Sequence, residues 1–428
     1  MSNRDCNNQV EKRQQIKKTT LIVGVDIGSN FNAMAFMNKE GEVLGKFPKV
    51  YNSREGFDYF VQTIEEIKAK KGLKSVLIGM EPTGHYWRKI AFFAMEKGYQ
   101  VKFVRTTAIK HQRELDESSS AKSDIKDAIT LANITREGKY IDTVIEEGIY
   151  RQLRTLSKVR EKHSRGSVRA QTTLGAVLDD YFPELKQIFW SMKSRSLWAI
   201  LKLCPFPQDV LKCDVSTITE VLAKSSRRKA TAKKKARDLF DAAQISIGLK
   251  SISEADRYRL NHYLEEVMRS EVLLKEIVIK MKSLLKQTPY SEFLLSIPGV
   301  GPLSAAVFLG ELGNPAYFSN PKQIIKYAGY DPQEKDSGLR VGRKKISKKG
   351  RWLMRKTLYF MGMRASQLCE FFKEYYQRKL KNENRFGELL KKKEALCAVV
   401  IKLIKVIFAL FRDKRKYQDQ VAPLAMAA

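Results

Sequence analysis

The sequence predicts an α/β domain followed by a longer, mainly helical region. Three observations predict it. Short β-branched runs alternate with amphipathic helical segments over residues 19–145, two long charged segments in the middle carry apolar residues at three- and four-residue steps, and Gly/Pro punctuation from about Tyr290 gives way to helical periodicity up to about Arg412. A chain of 428 residues exceeds one comfortable hydrophobic core. The divisions read from it are a polar leader over 1–18, an α/β domain over 19–145, a long-helix, coiled-coil region over 146–288, a mainly helical domain over 289–413 and a tail over 414–428.

The elements follow in order. Residues 20–27 (TLIVGVDI) form an apolar β-branched run, and 32–37 and 43–47 read as two further strands, so an antiparallel meander is expected. Phe57, Phe60, Val61, Ile64 and Ile67 recur at helical intervals over 57–71. Strand character returns at 75–80, a helix is expected over 86–97, a strand over 100–105 and a helix from about Ser123. The resulting order, βββαβαβ and then a helix, matches a ribonuclease-H-like topology. Residues 148–185 and 253–285 read as two long helices, expected to be antiparallel partners. Between them, 224–237 (KSSRRKATAKKKAR) concentrates positive charge.

Lys and Arg number 79 against 47 Asp and Glu, a net charge of +32. Such an excess repels itself unless a polyanion shares it. The sequence has no uninterrupted apolar run of the roughly 18 residues a bilayer span needs, so nucleic acid rather than membrane is the expected partner. The N-terminus lacks the apolar core of a secretory signal, which points to the cytoplasm. Five scattered cysteines and four dispersed histidines have neither disulfide nor zinc-site spacing, and free thiols are expected.

Four carboxylates carry the first candidate chemistry. Asp26 in GVDIGS stands at the end or in the middle of a buried strand, and Glu81 in MEPTGHY stands where a strand runs into Pro82 and Gly84. Strand ends of this kind are where sites assemble in α/β sheets. Asp124 and Asp127 in AKSDIKDA are three apart, hence on one helix face. Each acid has an ordinary reading as a turn or helix cap, but together they are the oxygen ligands that Mg²⁺ or Mn²⁺ needs for phosphodiester cleavage.

A second constellation lies in the C-terminal third. In LSIPGVGPLSAAVFLGEL, a helix, a tight PGVG turn and a second helix form a helix-hairpin-helix-like unit, whose Gly299, Val300 and Gly301 N–H groups are expected to meet a phosphate. Downstream of YAGY, the segment DPQEKDSGLRVGRKKISKKGRWLMRKTL brackets glycines with Arg340, Arg343, Lys344, Lys345, Lys348, Lys349, Arg351 and Arg355, a candidate phosphate-binding surface. Ser337 belongs to a Ser-Gly dipeptide common in turns, yet its cationic neighbours suit a hydroxyl nucleophile attacking a phosphodiester. Trp352, Tyr359 and Phe360 are read as packing residues.

GVDIGS, MEPTGHYW, KSDIKDA, IPGVGPLSAAVFLGELG, YAGYDP, DSG and ISKKGRWLMRKTL, in this order, resemble the insertion-sequence one-ten family of transposases, also called DEDD transposases. The resemblance implies a ribonuclease-H/RuvC-like domain with Asp26, Glu81, Asp124 and Asp127 as metal ligands, a coiled-coil middle, and a C-terminal transposase domain in which Ser337 matches a catalytic serine. It also implies donor and target DNA as substrates, a structured non-coding bridge RNA as guide, a homo-oligomer, dimer or tetramer, and a bacterial, nucleoid-associated setting. Arg351 sits where Asn more usually follows ISKKG. Two other readings stay open at this point: a structure-selective nuclease or Holliday-junction resolvase that uses the acids without Ser337, and a non-enzymatic nucleic-acid scaffold. The subunit that brings Ser337 to the acids is also open.

Overall fold

A computed structural model describes residues 3–82, 84–116, 123–141, 148–226, 229–334, 336 and 341–418. The chain divides into two units, Met1–Ile145 and Glu146–Ala428. The first contains α1 (Asn3–Gln15), β1 (Thr20–Asp26), β2 (Phe31–Met37), β3 (Lys49–Tyr51), α2 (Arg54–Lys71), β4 (Ser75–Met80), α3 (Trp87–Glu96), β5 (Gln100–Phe103), α4 (Thr106–Asp116) and α5 (Asp124–Arg136). Its sheet has the order β3-β2-β1-β4-β5. The β1–β2 and β2–β3 pairs are antiparallel, whereas β1–β4 and β4–β5 are parallel. Connection length explains the mixture: a tight turn returns the chain from β1 to β2, while the helical crossovers α2 and α3 bring strands back in the same direction.

Side chains of β1 and β4 alternate between two cores. Leu21, Val23 and Val25 join Val76, Ile78 and Met80 in one apolar cluster with Phe60, Ile64 and Ile90 from the helices behind. Ile22 and Leu77 face the other way, against Leu131, Ala132 and Ile134 of α5. This second face is unusually close-packed because it contains glycines. A Cβ on Gly24 would lie 2.0 Å from the Ala128 carbonyl oxygen, and one on Gly79 would lie 1.7 Å from Thr135 Oγ1. Helix α5 therefore rests on bare backbone.

Two details differ from the sequence expectation. The third strand is Lys49–Tyr51 rather than 43–47, because Gly41 and Gly45 take positive φ (102° and 73°) and bend the earlier segment, leaving Val43 an isolated bridge to Met37. The polar leader contains a helix, α1, that docks within its unit: Lys12 Nζ donates to the Tyr140 carbonyl at 3.0 Å, and Ile16 is buried.

Among the described residues, the second unit is mainly helical with one two-stranded ribbon. It runs through α6 (Gly148–Tyr181), α7 (Leu185–Ile188), α8 (Arg195–Leu203), α9 (Pro207–Leu211), α10 (Val215–Ser225), α11 (Ala232–Gln244), α12 (Glu254–Lys286), α13 (Ser291–Leu295), α14 (Pro302–Leu312), α15 (Pro321–Ala328), β6 (Pro332–Gln333), β7 (Lys345–Ile346), α16 (Trp352–Leu368), α17 (Glu370–Leu380) and α18 (Lys392–Asp413). The long helices α6 and α12 pack side by side and antiparallel. Asp180 near the end of α6 meets Arg259 near the start of α12 at 3.7 Å, whereas Leu153 near the start of α6 shares a core with Met281 and Leu285. Helix α12 begins at a capping box, in which Ser253 Oγ accepts the Asp256 N–H and the Asp256 carboxylate accepts the Ser253 N–H.

Each end of this helix pair belongs to a different core. One contains Leu174, Leu178, Leu260 and Leu264 with α8, α10 and α11. The other contains Leu153 and Met281 with α14, α16 and α18. Buried Glu161 ties α6 to α16 through Lys356 Nζ at 2.9 Å, and Arg165 also donates to it at 3.0 Å. Burial works to raise the Glu161 pKa, but these two cations outweigh it and hold the carboxyl below its usual range. Cys204, Cys213, Cys369 and Cys397 are free thiols. Among the described residues, no helix is long and apolar enough to cross a membrane.

Candidate active site

The parallel register of β1 and β4 pairs Val25 with Met80, so Asp26 and Glu81 are the next residues on adjacent strands. Both therefore leave the carboxyl end of the sheet about 5 Å apart along the backbone. The two-residue period also places Asp26 on the same sheet side as Ile22 and Gly24, the side that α5 covers. Continuing the period of β4 from Leu77 and Gly79 puts Glu81 on that side too. Asp127 precedes Ala128, whose carbonyl lies against Gly24, and it is 4% exposed. Asp124, one turn earlier, is exposed. The strand ends and the first turn of α5 thus share one region.

That region is held by groups the sequence reading did not single out. Asn32 is fully buried; its Nδ2 donates to Asn52 Oδ1 at 2.9 Å, and its Oδ1 accepts the Gly28 N–H at 3.4 Å. Asn52 Nδ2 in turn donates to the Gly28 and Ser29 carbonyls at 3.1 and 2.8 Å. The two amides fix the turn directly after Asp26. Gly28 is required there, since a Cβ would lie 2.2 Å from the Phe31 carbonyl oxygen. Buried asparagine beginning a strand was the available signal, because such an amide must find partners.

As a donor set, the four carboxylates suit a hard divalent cation. Asp26 and Glu81 are half-buried, which favours a compensating positive charge. Among the described residues, however, no three His, Cys, Asp or Glu side chains converge as a set that holds a metal ion. The backbone places the acids in one neighbourhood without closing them into a cage.

In the second unit, the PGVG turn packs inward. Gly299 has φ 91°, and a Cβ there would lie 2.7 Å from the Ala365 nitrogen of α16. Val300 is buried, with its N–H donated to the Ile297 carbonyl at 3.0 Å. Gly301 is exposed at the N-terminus of α14. The turn's first task is thus close packing of α14 on α16, and the Val300 N–H is already spent.

Ser337 and Arg340 lie outside the described residues. On either side of them, β6 and β7 pair Pro332 with Ile346 and Gln333 with Lys345, which brings the two arms of the segment together. Asp336 accepts the Gly342 N–H at 2.8 Å and receives Arg385 on both carboxylate oxygens, at 2.9 and 3.1 Å. These bonds hold its carboxyl below the usual range, the Gly342 N–H more than Arg385. Arg343 donates to Glu388 at 3.2 Å and Lys344 lies 2.6 Å from Glu334. Arg385 and Glu388 come from a second turn, in which Asn384 Oδ1 accepts the Phe386 N–H at 2.8 Å and Gly387 has φ 73°. Sequence inspection missed this turn because its residues acquire their role through contacts more than forty positions away.

The remaining cations divide into two groups. Lys345, Lys348 and Lys349 are exposed. Arg351 instead donates to the Glu311 carbonyl and lies 4.6 Å from the Tyr327 ring centroid, while Arg355 donates to the Lys348 and Ala328 carbonyls at 3.0 and 3.3 Å. They brace a crossing in which a Cβ on Gly350 would lie 2.6 Å from the Gly329 nitrogen. The aromatic expectation holds in part: Tyr359 packs on the core and the Trp352 ring lies 4.5 Å from the Arg165 guanidinium of α6, but Trp352 and Phe360 are 46% and 49% exposed.

Comparison with known proteins bears on both regions. Residues 23–183 match a DEDD-type IS110 family profile described as "Transposase", and residues 291–377 match one described as "Transposase IS116/IS110/IS902 family". The chain is similar to the 44.8 kDa protein of insertion element IS116 of Streptomyces clavuligerus, 22% identical over 92% of this chain and 95% of that one. It is 21% identical to the 43.6 kDa protein of insertion element IS110 of Streptomyces coelicolor, over 77% of this chain and 80% of that one. A pilin gene-inverting protein of Moraxella bovis is 25% identical over 31% of this chain and 39% of its own length.

Proposed function

The chain belongs to the IS110 family of transposases, and from that membership we propose that it cuts, exchanges and rejoins DNA strands of a bacterial insertion sequence through Ser337 and the four acids. The carrying observation is the β1–β4 register, which sets Asp26 beside Glu81 at the sheet end covered by the α5 turn that holds buried Asp127. That arrangement falls within the first matched segment, and the mixed strand order supports a ribonuclease-H/RuvC-like reading.

In this reading Asp26, Glu81, Asp124 and Asp127 would hold Mg²⁺ or Mn²⁺ once drawn together, and a bound cation supplies charge neutralisation at the scissile phosphate. Ser337 Oγ gives up its proton and bonds to phosphorus as one sugar–phosphate bond breaks, the departing sugar oxygen taking up a proton. Attack by a sugar hydroxyl of another strand reverses the exchange and releases the serine. One diester bond is traded for another, so rejoining needs no outside energy source. Hydrolysis at the acids alone would lose that bond. Exposed Lys345, Lys348 and Lys349 hold phosphates nearby, while Arg351 serves the fold. A structured non-coding RNA encoded beside the gene guides donor and target choice, and the protein acts as a homo-oligomer. The inverting relative is compatible with such conservative exchange.

The test is plasmid recombination between donor and target in Mg²⁺. Asp26→Asn and Asp127→Asn should each abolish it while the circular dichroism spectrum is kept, and chelation should do the same. Full activity of either variant would remove the metal-site assignment. Recombination that survives omission of the neighbouring transcript would remove RNA guidance.

A further inference from the structure

The helical lobe built on the Leu174–Leu264 core presents a tryptophan that its fold does not use. Trp190 is 97% exposed, whereas its neighbour Phe189 is 2% exposed. Full exposure of so large an apolar ring on a stable protein invites a partner. The loop that carries it is firmly held. Phe189 anchors one side, the Trp198 indole N–H donates to the Met192 carbonyl at 2.6 Å, and the Ser194 N–H donates to the Ser191 carbonyl at 3.0 Å before Ser194 caps α8. The ring is therefore presented on a fixed support, which limits the ordering cost of binding.

Its surroundings are cationic. Residues 185–204 contain Lys186, Lys193, Arg195 and Lys202 and no acid. Lys186 and Lys193 pair with Asp179 and Glu271, but Arg195 is exposed and pairs with no described carboxylate. From the basic segment of α11, Lys235 Nζ lies 5.4 Å from the ring centroid of Phe189, the residue before Trp190. An exposed aromatic ring on a segment of cations, one of them without a described carboxylate partner, has the chemistry that takes a base on the ring and phosphates beside it. Duplex DNA keeps its bases stacked, so the complementary partner is an unpaired strand.

We propose that Trp190 is a stacking platform for an unpaired base of single-stranded DNA, with Arg195 and Lys235 holding the adjacent phosphates. Strand exchange by a transposase exposes such strands. The assignment rests on the family's DNA substrate and is independent of Ser337 and the four acids, so it stands or falls apart from them.

The experiment is fluorescence anisotropy of the full chain with a labelled single-stranded DNA of about 12 nucleotides, alongside the same sequence as duplex and as single-stranded RNA. Trp190→Ala should weaken single-stranded DNA binding about fivefold to a hundredfold with an unchanged salt slope, and Trp190→Phe should restore most of the affinity. Arg195→Gln should lower the salt slope by about one. Duplex affinity should stay the same in the Trp190 variants. Loss of less than about twofold, equal loss on duplex, loss confined to RNA, or a change of sedimentation to a smaller oligomer with DNA binding intact would each overturn the proposal, the last in favour of contact between copies.

Discussion

The acids of the N-terminal unit stand on buried backbone, whereas the described residues flanking Ser337 are joined by ion pairs among partly exposed side chains. Asp26 and Glu81 are set by a ladder of strand hydrogen bonds, and Asp127 by a helix seated on two glycines. In the C-terminal unit, Asp336, Arg343 and Lys344 are held by Arg385, Glu388 and Glu334. The first kind of support resists solvent and salt. The second is screened by salt and open to competition from a polyanion such as DNA. In the proposed reading the first support would fix a place for charge neutralisation and the second would let cations respond to phosphate.

The largest expected effect tests whether these regions serve one step. Asp127→Asn and Ser337→Ala should each lower recombination by on the order of a thousandfold or more, and the double variant should be no worse than either, since residues acting as a unit are not additive. Multiplied losses, measured in the same plasmid assay, would show two independent activities.

A second test separates the two kinds of support. Gly79→Val forces side-chain atoms into Thr135 and should destabilise the N-terminal unit by about 3 kcal/mol or more, seen as a lower melting temperature insensitive to salt. Arg385→Ala should leave that transition in place while increasing proteolysis near residue 342. A Gly79 variant with unchanged melting would contradict the close packing of α5.

The smallest effect concerns acidity. The Asp336 carboxyl titrates below its ordinary 3.8 because the Gly342 N–H and Arg385 stabilise the charged form. Its contribution is therefore present in full above the unfolded carboxylate value, about 3.9, and is lost as pH falls through the folded one. Hydrogen exchange at Gly342, corrected for intrinsic rate, should show constant protection from about pH 5 to 8 and loss only at lower pH. Asp336→Asn should weaken that protection at neutral pH. Unchanged protection in the variant would count against the clamp.

The two regions also differ in how far they can be read from sequence. Strand and helix periodicity located β1, β4 and α5, and the spacing of Asp124 and Asp127 placed both in the first turn of one helix. That one of them is buried and the other exposed depends on α5 crossing Gly24 and Gly79, a tertiary fact without local trace. Cationic composition likewise suggested eight phosphate ligands but did not distinguish Lys349, which faces solvent, from Arg351, which closes a backbone crossing. Residue type was legible; direction was not. The 43–47 segment failed as a strand for the related reason that two glycines outweighed its apolar pattern.

The most direct measurement is to incubate the protein with the transcript of the DNA beside its gene and a DNA substrate nicked so that rejoining is blocked, then digest and map any protein–DNA adduct by mass spectrometry. The account predicts one adduct, on Ser337, formed by the wild type in Mg²⁺ and missing after chelation, in Asp127→Asn and in Ser337→Ala. An adduct on another residue, or recombination by Ser337→Ala, would contradict it and leave hydrolysis by water at the four acids as the better description.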